Sequence, residues 1–547
     1  MNLLPESAVA RCRQAVARLE AERAVSRIWA CDASLWKAEA VARKSIENAL
    51  GWLTIPDRIW STLPDLEAFV ADARVEADRV VVLGMGGSSL APYVFEKTFG
   101  SAEGFPQLEV LDSTEPSAVA ATAARSDPRR TIFIVSSKSG TTLEPNIFFD
   151  YFFDLASREL GEKAGERFVV ITDPGSALEK EGSFRRVRKV FPGDPRIGGR
   201  YSALSNFGLV PAAFIGIPVR ELVGRARTMA EACRAAANEN PGMLLGAAVG
   251  AEALAGRDKL TFSIGSPADR FGMWLEQLIA ESTGKEGKGI LPVEGEALGG
   301  PEVYGSDRFF IRYDTRGRED GTAAKRLDTL VSHGHPIASF VLQDALDLGA
   351  EMFRWEFATA VAGRLLEINP FDQPNVQEAK DRTNAILAGT SGSPSHAPEP
   401  AAGLDEKALA GLLGSIKRGD YFAITAYLDD TPETQAALQA IRLRVRDAKK
   451  VATTIGFGPR FQHSTGQLHK GGPANGVFLQ VTCEPSATVA IPGRPWGFGE
   501  VVAAQASGDL GALKSRGRRV TRVHLPRDLS RGLRDLSRAV DRALLPA

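Results

Sequence analysis

From residue 78 onward, short runs of β-branched and other apolar residues alternate with longer stretches whose apolar positions recur at helical spacing. Residues 79–83, 108–111, 131–135 and 167–171 read as four buried strands, with 187–191 as a fifth. Each of the first four ends in glycine or small hydroxyl residues. Such alternation predicts a parallel, doubly wound sheet, whose ligands bind beyond the carboxyl ends of the strands. A second unit follows the same pattern. It has strands at 259–264, 309–313 and 337–342, and helices at 270–282 and 344–366.

The flanks read differently. Residues 5–50 are helical in pattern, with no glycine before Gly51. Residues 389–404, GTSGSPSHAPEPAAGL, have the composition of a linker. Strands at 421–428, 451–456, 476–481 and 520–525, with a helix at 432–448, make a small α/β unit beyond it. The expected organisation is therefore a helical segment at 1–75, a first α/β domain at 76–240 and a second at 241–388. The linker at 389–404 and a C-terminal α/β domain at 405–547 complete it.

Composition narrows the function. The 547 residues include 66 Lys plus Arg and 67 Asp plus Glu, a net charge of −1. That charge gives no general attraction to nucleic acid or an anionic membrane, so an anionic ligand needs a local site. The four cysteines are scattered and show no metal-ligand spacing. No metal and no cofactor is expected. Neither a signal-peptide core nor a long apolar span stands out, so a cytoplasmic location is expected.

The segment 133–145, FIVSSKSGTTLEP, has five hydroxyls, one amine and one glycine between Ser136 and Thr142. A turn that only caps a helix needs one or two hydroxyls. A phosphate needs many donors converging at a strand-to-helix turn, and Ser137, Ser139, Thr141 and Thr142 are suited to supply them. The turn 84–89 is neither a dinucleotide fingerprint nor a Walker loop, because its glycine spacing fails at Ser89 and no GK[ST] follows.

Five blocks carry a resemblance: VVLGMGGSSLAP, VSSKSGTTLEP, GGRYSALS, EQLIAESTGK and NPFDQPNVQEAK, in that order. Together they resemble the glucose-6-phosphate isomerase family over about residues 50–385. The flanks and C-terminal third look most like the isomerase half of bacterial transaldolase–isomerase fusions. The resemblance implies two sugar-isomerase (SIS) domains and interconversion of glucose 6-phosphate and fructose 6-phosphate through a cis-enediol, in glycolysis and gluconeogenesis. It also implies a homodimer acting on a small phosphosugar, with no nucleic-acid or membrane partner. It places Gly87 and Ser88 at the sugar and Ser137, Lys138, Ser139, Thr141 and Thr142 at the phosphate. Arg200 falls beside the reacting carbons. Gln277 and Glu281 match the family's glutamine and catalytic glutamate, and Gln373 and Lys380 its glutamine and lysine.

The chemistry suits those residues. One partly buried carboxylate, Glu281, can move a proton between C2 and C1, and Gln277 shares its helix face. A fixed guanidinium, Arg200, would stabilise the enediolate. Lys380 would handle ring-opening protons. The family's histidine after the catalytic glutamate is missing, since no histidine occurs between Glu281 and His333. Alignment puts Asp307 in its place; His333, His335 and His463, the last in HSTGQLHKGG, are the alternatives. Two rival functions are a mannose 6-phosphate isomerase and a non-catalytic phosphosugar sensor.

Overall fold

The computed structural model describes residues 1–389, 403–485 and 487–545. The linker reading at 389–404 therefore falls almost wholly outside the described residues. Three largely parallel sheets organise the chain, as the alternation predicts.

A short strand, β1 (Asn2–Leu4), opens the chain, and the helices Glu6–Ala21, Ala24–Trp29 and Ala40–Glu47 follow. The first sheet contains β2 (Arg79–Gly84), β3 (Gln107–Leu111), β4 (Thr131–Ser136), β5 (Phe168–Thr172) and β6 (Lys189–Pro192), in the order β3-β2-β4-β5-β6. All its pairings are parallel. Strands β2, β4 and β5 are buried almost throughout, which is why they read as unbroken apolar runs.

The second sheet holds β7 (Lys259–Ile264), β8 (Leu291–Val293), β9 (Arg308–Thr315) and β10 (Ile337–Leu342), with β1 on its edge, in the order β1-β10-β9-β7-β8. β1 pairs antiparallel to β10, and the other pairings are parallel. One apolar core joins the N-terminal helices to both sheets; Trp52, Val80, Leu260 and Phe309 all belong to it.

The third sheet is β11 (Tyr421–Tyr427), β12 (Ala452–Phe457), β13 (Gly476–Cys483) and β14 (Arg519–Leu525), in the order β12-β11-β13-β14 and wholly parallel. It has its own core around Phe422, Leu479 and Val523. The helix Phe498–Ser515 leaves that unit and packs into the first sheet's core, where Phe498 stacks on Phe148 at 5.8 Å. Arg460 locks the same interface with two hydrogen bonds of 2.8 Å to the Asp112 carboxylate at the end of β3, and a third of 2.8 Å to Asp430. The charges are buried, so the fork must be matched by carboxylates at its several N–H groups. The C-terminal unit is thus pinned over the carboxyl ends of the first sheet. No helix among the described residues is long and apolar enough to cross a membrane.

Candidate active site

The turn after β4 leads into the helix Leu143–Leu160, with Thr142 at its N-cap. Thr142 makes no side-chain cap bond, so its hydroxyl remains available to a ligand. Gly140 takes a left-handed φ of 68°, which turns the chain without a Cβ penalty. Ser139 Oγ and Thr141 Oγ1 lie 3.0 Å apart. Ser139, Thr141 and Thr142 line a cavity of about 290 Å³ with Lys380 and His463. Hydroxyls, free N–H groups and the positive end of the helix dipole thus converge on one point, which fits an anion.

Two residues expected there stand apart from the cavity wall. Lys138 is tied as an ion pair to Asp173, which follows β5. Ser137 is buried; its N–H donates to Ile171 O at 3.0 Å and its hydroxyl has no hydrogen-bond partner among the described residues. The cradle is therefore narrower than the motif suggests. Alternate residues of an extended turn face opposite ways, and the sequence shows only that hydroxyls are present.

Arg200 is wholly buried. Its Nε donates to Ser282 Oγ at 2.7 Å and its terminal nitrogens to Gln373 Oε1 at 2.7 Å and Pro370 O at 2.8 Å. The guanidinium stands 3.3 Å from Glu281 Oε1. Gln277 Nε2 donates to Glu281 Oε2 at 3.1 Å and to the His463 carbonyl at 2.8 Å. Thus Glu281 is held from two sides, by Arg200 and by the residue one turn earlier on its own helix. Gly87 and Gly199 approach so closely that a Cβ on Gly87 would sit 2.0 Å from Gly199 O. Gly87 and Ser88 therefore bring the β2 turn against the Arg200 segment. Gln373 reaches this network through Arg200, and Lys380 lies on the helix Gln377–Leu387 at the pocket wall.

Asp307 is not near this pocket. It lies directly before β9, and its carbonyl accepts from Lys259 N–H at 3.1 Å. Its buried carboxylate sits 3.9 Å from Lys259 Nζ. The segment that aligns with the family's histidine stretch is consumed here by the entry to a strand. His333 and His335 line a separate hollow with Arg257 and Tyr304. The histidine that does reach the pocket is His463, from the far C-terminal unit.

His463 Nε2 lies 3.1 Å from Glu144 Oε1. Gln505 Nε2 also donates to Glu144 Oε1 at 2.7 Å, and Thr114 Oγ1 donates to Gln505 at 2.7 Å. Burial alone would push the Glu144 carboxyl up. The His463 charge and hydrogen bond, a backbone N–H and Lys380 outweigh it and hold the group below the ordinary glutamate range. Sequence reasoning missed Glu144, although it stands in the SGTTLEP block. Lys285, four residues after Glu281, was missed too. It is buried against Asp372 at 2.7 Å, and burial lowers its ammonium to about 8, with Arg200 adding to the shift and Asp372 and Glu281 opposing it. Among the described residues no group of three His, Cys, Asp or Glu side chains is placed to hold a metal ion.

Residues 67–296 match the family model described as phosphoglucose isomerase. A glucose-6-phosphate isomerase of Carboxydothermus hydrogenoformans is 27% identical over 412 residues, covering 64% of this chain and 87% of that protein. One from Rubrobacter xylanophilus is 29% identical over 393 residues, covering 62% and 90%. Among solved structures, a hypothetical protein from Thermus thermophilus aligns with a TM-score of 0.60 at 24% identity, over 70% of this chain and 99% of that one. A glucose-6-phosphate isomerase from Chlamydia trachomatis aligns with a TM-score of 0.51 at 21% identity, over 68% and 79%. These two likenesses bear on the fold.

Proposed function

This chain belongs to the phosphoglucose isomerase family, and from that premise we propose that it interconverts glucose 6-phosphate and fructose 6-phosphate by proton transfer through a cis-enediol. The observation that carries the proposal is that the Ser139–Thr141–Thr142 cradle and the His463–Glu144 pair line one cavity, while Gln277 ties the adjoining Glu281–Arg200 pair to the His463 turn.

The steps follow from the groups. The cradle holds the 6-phosphate, which does not react. His463 and Lys380 serve the ring oxygen and the anomeric hydroxyl, one giving a proton while the other takes one, and the sugar opens. Glu144 orients the imidazole. Glu281 then removes the proton from C2, the C1 oxygen gains a proton, and the same carboxyl returns a proton to C1 as the C2 oxygen loses its own. Arg200 offsets the negative charge that develops on the enediolate, so it stabilises the transition state more than the ground state. Gln277 keeps Glu281 aimed and ties it to the His463 turn. The reaction serves glycolysis and gluconeogenesis in this reading, and the homodimer implied by the family is proposed with it.

Purified protein supplied with fructose 6-phosphate and a glucose 6-phosphate-specific coupling enzyme tests the activity. Mannose 6-phosphate supplied with an auxiliary glucose-6-phosphate isomerase and the same coupling enzyme separates the nearest rival. Failure to form glucose 6-phosphate from fructose 6-phosphate, and fructose 6-phosphate from glucose 6-phosphate, would sink the proposal.

A further inference from the structure

The turn Arg460–Ser464 is a wall shared by two cavities. His463 faces the catalytic pocket; Ser464 and Arg460 face a second and larger space of about 450 Å³. That space lies where the helix Phe271–Thr283 meets the carboxyl ends of β11 and β12, with Met273 and Glu276 on one side and Asp430 and Phe457 on the other. Parallel sheets present their ligand sites at this end.

Two carboxyl groups on its wall, Glu276 and Glu294, have no cationic partner within 4.0 Å among the described residues, whereas the arginines around them are engaged. Arg460 is held by Asp112 and Asp430, Arg442 by Glu294 O and Thr453, and Arg270 is nearest Asp269 at 3.6 Å. Among the described residues, the one side-chain hydrogen bond to Glu276 comes from Ser464 Oγ at 3.1 Å. Glu294 is seated so tightly on the helix that a Cβ on Gly272 would lie 1.7 Å from its Oε2. Tyr93, Met273 and Phe457 supply apolar and aromatic surface beside these acids.

We propose that this cavity binds a small organic cation, an ammonium or guanidinium on an apolar stem. The cation pairs with Glu276 and Glu294, and the stem lies against Tyr93, Met273 and Phe457. The acids have the properties of groups awaiting a counter-charge. Burial pushes both up to about 7, and the Glu294 charge adds to the rise of Glu276. Arg442 acts on both acids in the opposite sense, with Arg460 acting on Glu276 and Arg270 on Glu294, while Asp269 adds to the rise of Glu294. Neither acid is used in the isomerase steps, so the site stands or falls separately from that reading. Because Ser464 adjoins His463, a bound cation acts on the turn that carries the ring-opening imidazole; this regulatory part does rest on the isomerase reading.

The test is calorimetric titration of the full chain with agmatine. One-to-one binding that persists in saturating fructose 6-phosphate is expected. It should weaken about tenfold or more in Glu276→Gln/Glu294→Gln, as for the loss of a partly buried ion pair. Ala436→Trp, at the cavity mouth, should block it while keeping wild-type isomerase activity, and it decides the matter where the double variant does not fold. No binding up to about 10 mM, displacement by fructose 6-phosphate, or unchanged affinity in Ala436→Trp would overturn the site. Tighter binding of inorganic phosphate to the same cavity would overturn its cationic character. Saturating agmatine should change kcat on the cyclic sugar in the wild type and not in Ala436→Trp; an unchanged kcat in both removes the regulatory part.

Discussion

The carboxylate of Glu144 and the imidazole of His463 meet at 3.1 Å across 319 residues of chain. Glu144 stands in the first turn of a helix in the first α/β unit, and His463 on a short helical turn after β12. Their contact depends on the C-terminal unit docking over the first sheet, through Arg460 on Asp112 and Phe498 on Phe148. The C-terminal unit is therefore a structural part of the pocket.

That contact has a pH signature. The Glu144 carboxyl is held below its ordinary value despite burial, with His463 as the largest opposing influence. A group depressed on folding contributes stability that is present above its unfolded pKa and is lost as pH falls through the folded one. His463→Ala removes the influence and leaves the burial, so the Glu144 pKa should rise. Melting temperature against pH should show a smaller acid-side loss of stability in His463→Ala than in the wild type, because a Glu144 pKa no longer held down gives up less stability when the group is protonated. Glu144→Gln, which cannot titrate there, should likewise lack the Glu144 share of the wild-type acid-side loss. Superimposable acid limbs for the wild type and His463→Ala would refute the coupling.

Much of this architecture was legible from apolar patterning. Strands such as β4 and β11 lie buried on both faces and so read as continuous apolar runs. β1 and β8 escaped notice, because three residues each are too few for a period to show. The site was legible where one local segment supplies it. Gln277 and Glu281 share a helix face, and Thr141 and Thr142 share a turn. It was not legible where neighbours come from remote segments. Nothing local distinguishes His463 from His333, and Asp307 matched by alignment a position that the fold gives to a strand entry. Lys138 shows a third limit, since its composition fits a phosphate while its geometry serves Asp173.

Glu281→Gln should cut turnover by about 10²–10⁴-fold, the usual contribution of a positioned general base. The amide keeps the shape and can still meet Gln277 and Arg200, so fructose 6-phosphate affinity measured by calorimetry should change by only a few-fold. Exchange of the C2 hydrogen with solvent deuterium should disappear as well. Exchange at the wild-type rate would assign the base to another residue.

The cradle makes a discriminating set of predictions. Ser139→Ala and Thr141→Ala each remove a donor to a doubly charged group, worth about 1.5–3 kcal/mol. KM for fructose 6-phosphate should rise roughly tenfold or more in each, with a smaller effect on kcat. Lys138→Ala should leave KM within about two-fold, because its partner is Asp173; its effect belongs in thermal stability, where a partly exposed pair is worth about 1 kcal/mol or less. A Lys138→Ala variant with the larger KM change would return that lysine to the phosphate.

The ring-opening role proposed for His463 can be separated from every other role by the form of the substrate. A cyclic sugar needs a proton on its ring oxygen and the loss of one from its anomeric hydroxyl, O1 in glucose 6-phosphate and O2 in fructose 6-phosphate, and these two oxygens differ in which must gain and which must lose a proton. Lys380 and His463 line the same pocket, and Glu144 fixes the imidazole beside them. His463→Ala should therefore lower kcat/KM for fructose 6-phosphate by about 10²-fold, at the modest end for acid–base catalysis. A four-carbon sugar phosphate with its terminal oxygen esterified can close neither a five- nor a six-membered ring and so bypasses the step, and on it the variant should stay within a few-fold of wild type. Glu144→Gln should show the same selectivity in weaker form, since it disturbs the orientation of the imidazole but leaves the ring in place. Asp307→Asn should show no selectivity, because its carboxylate faces Lys259 outside the pocket. If His463→Ala slows both substrates equally, the histidine organises the Gln277–Glu281 pair through its backbone and takes no part in opening the ring. If Asp307→Asn alone shows the selective loss, the docking of the C-terminal unit is irrelevant to ring opening and the assignment made from the geometry is wrong.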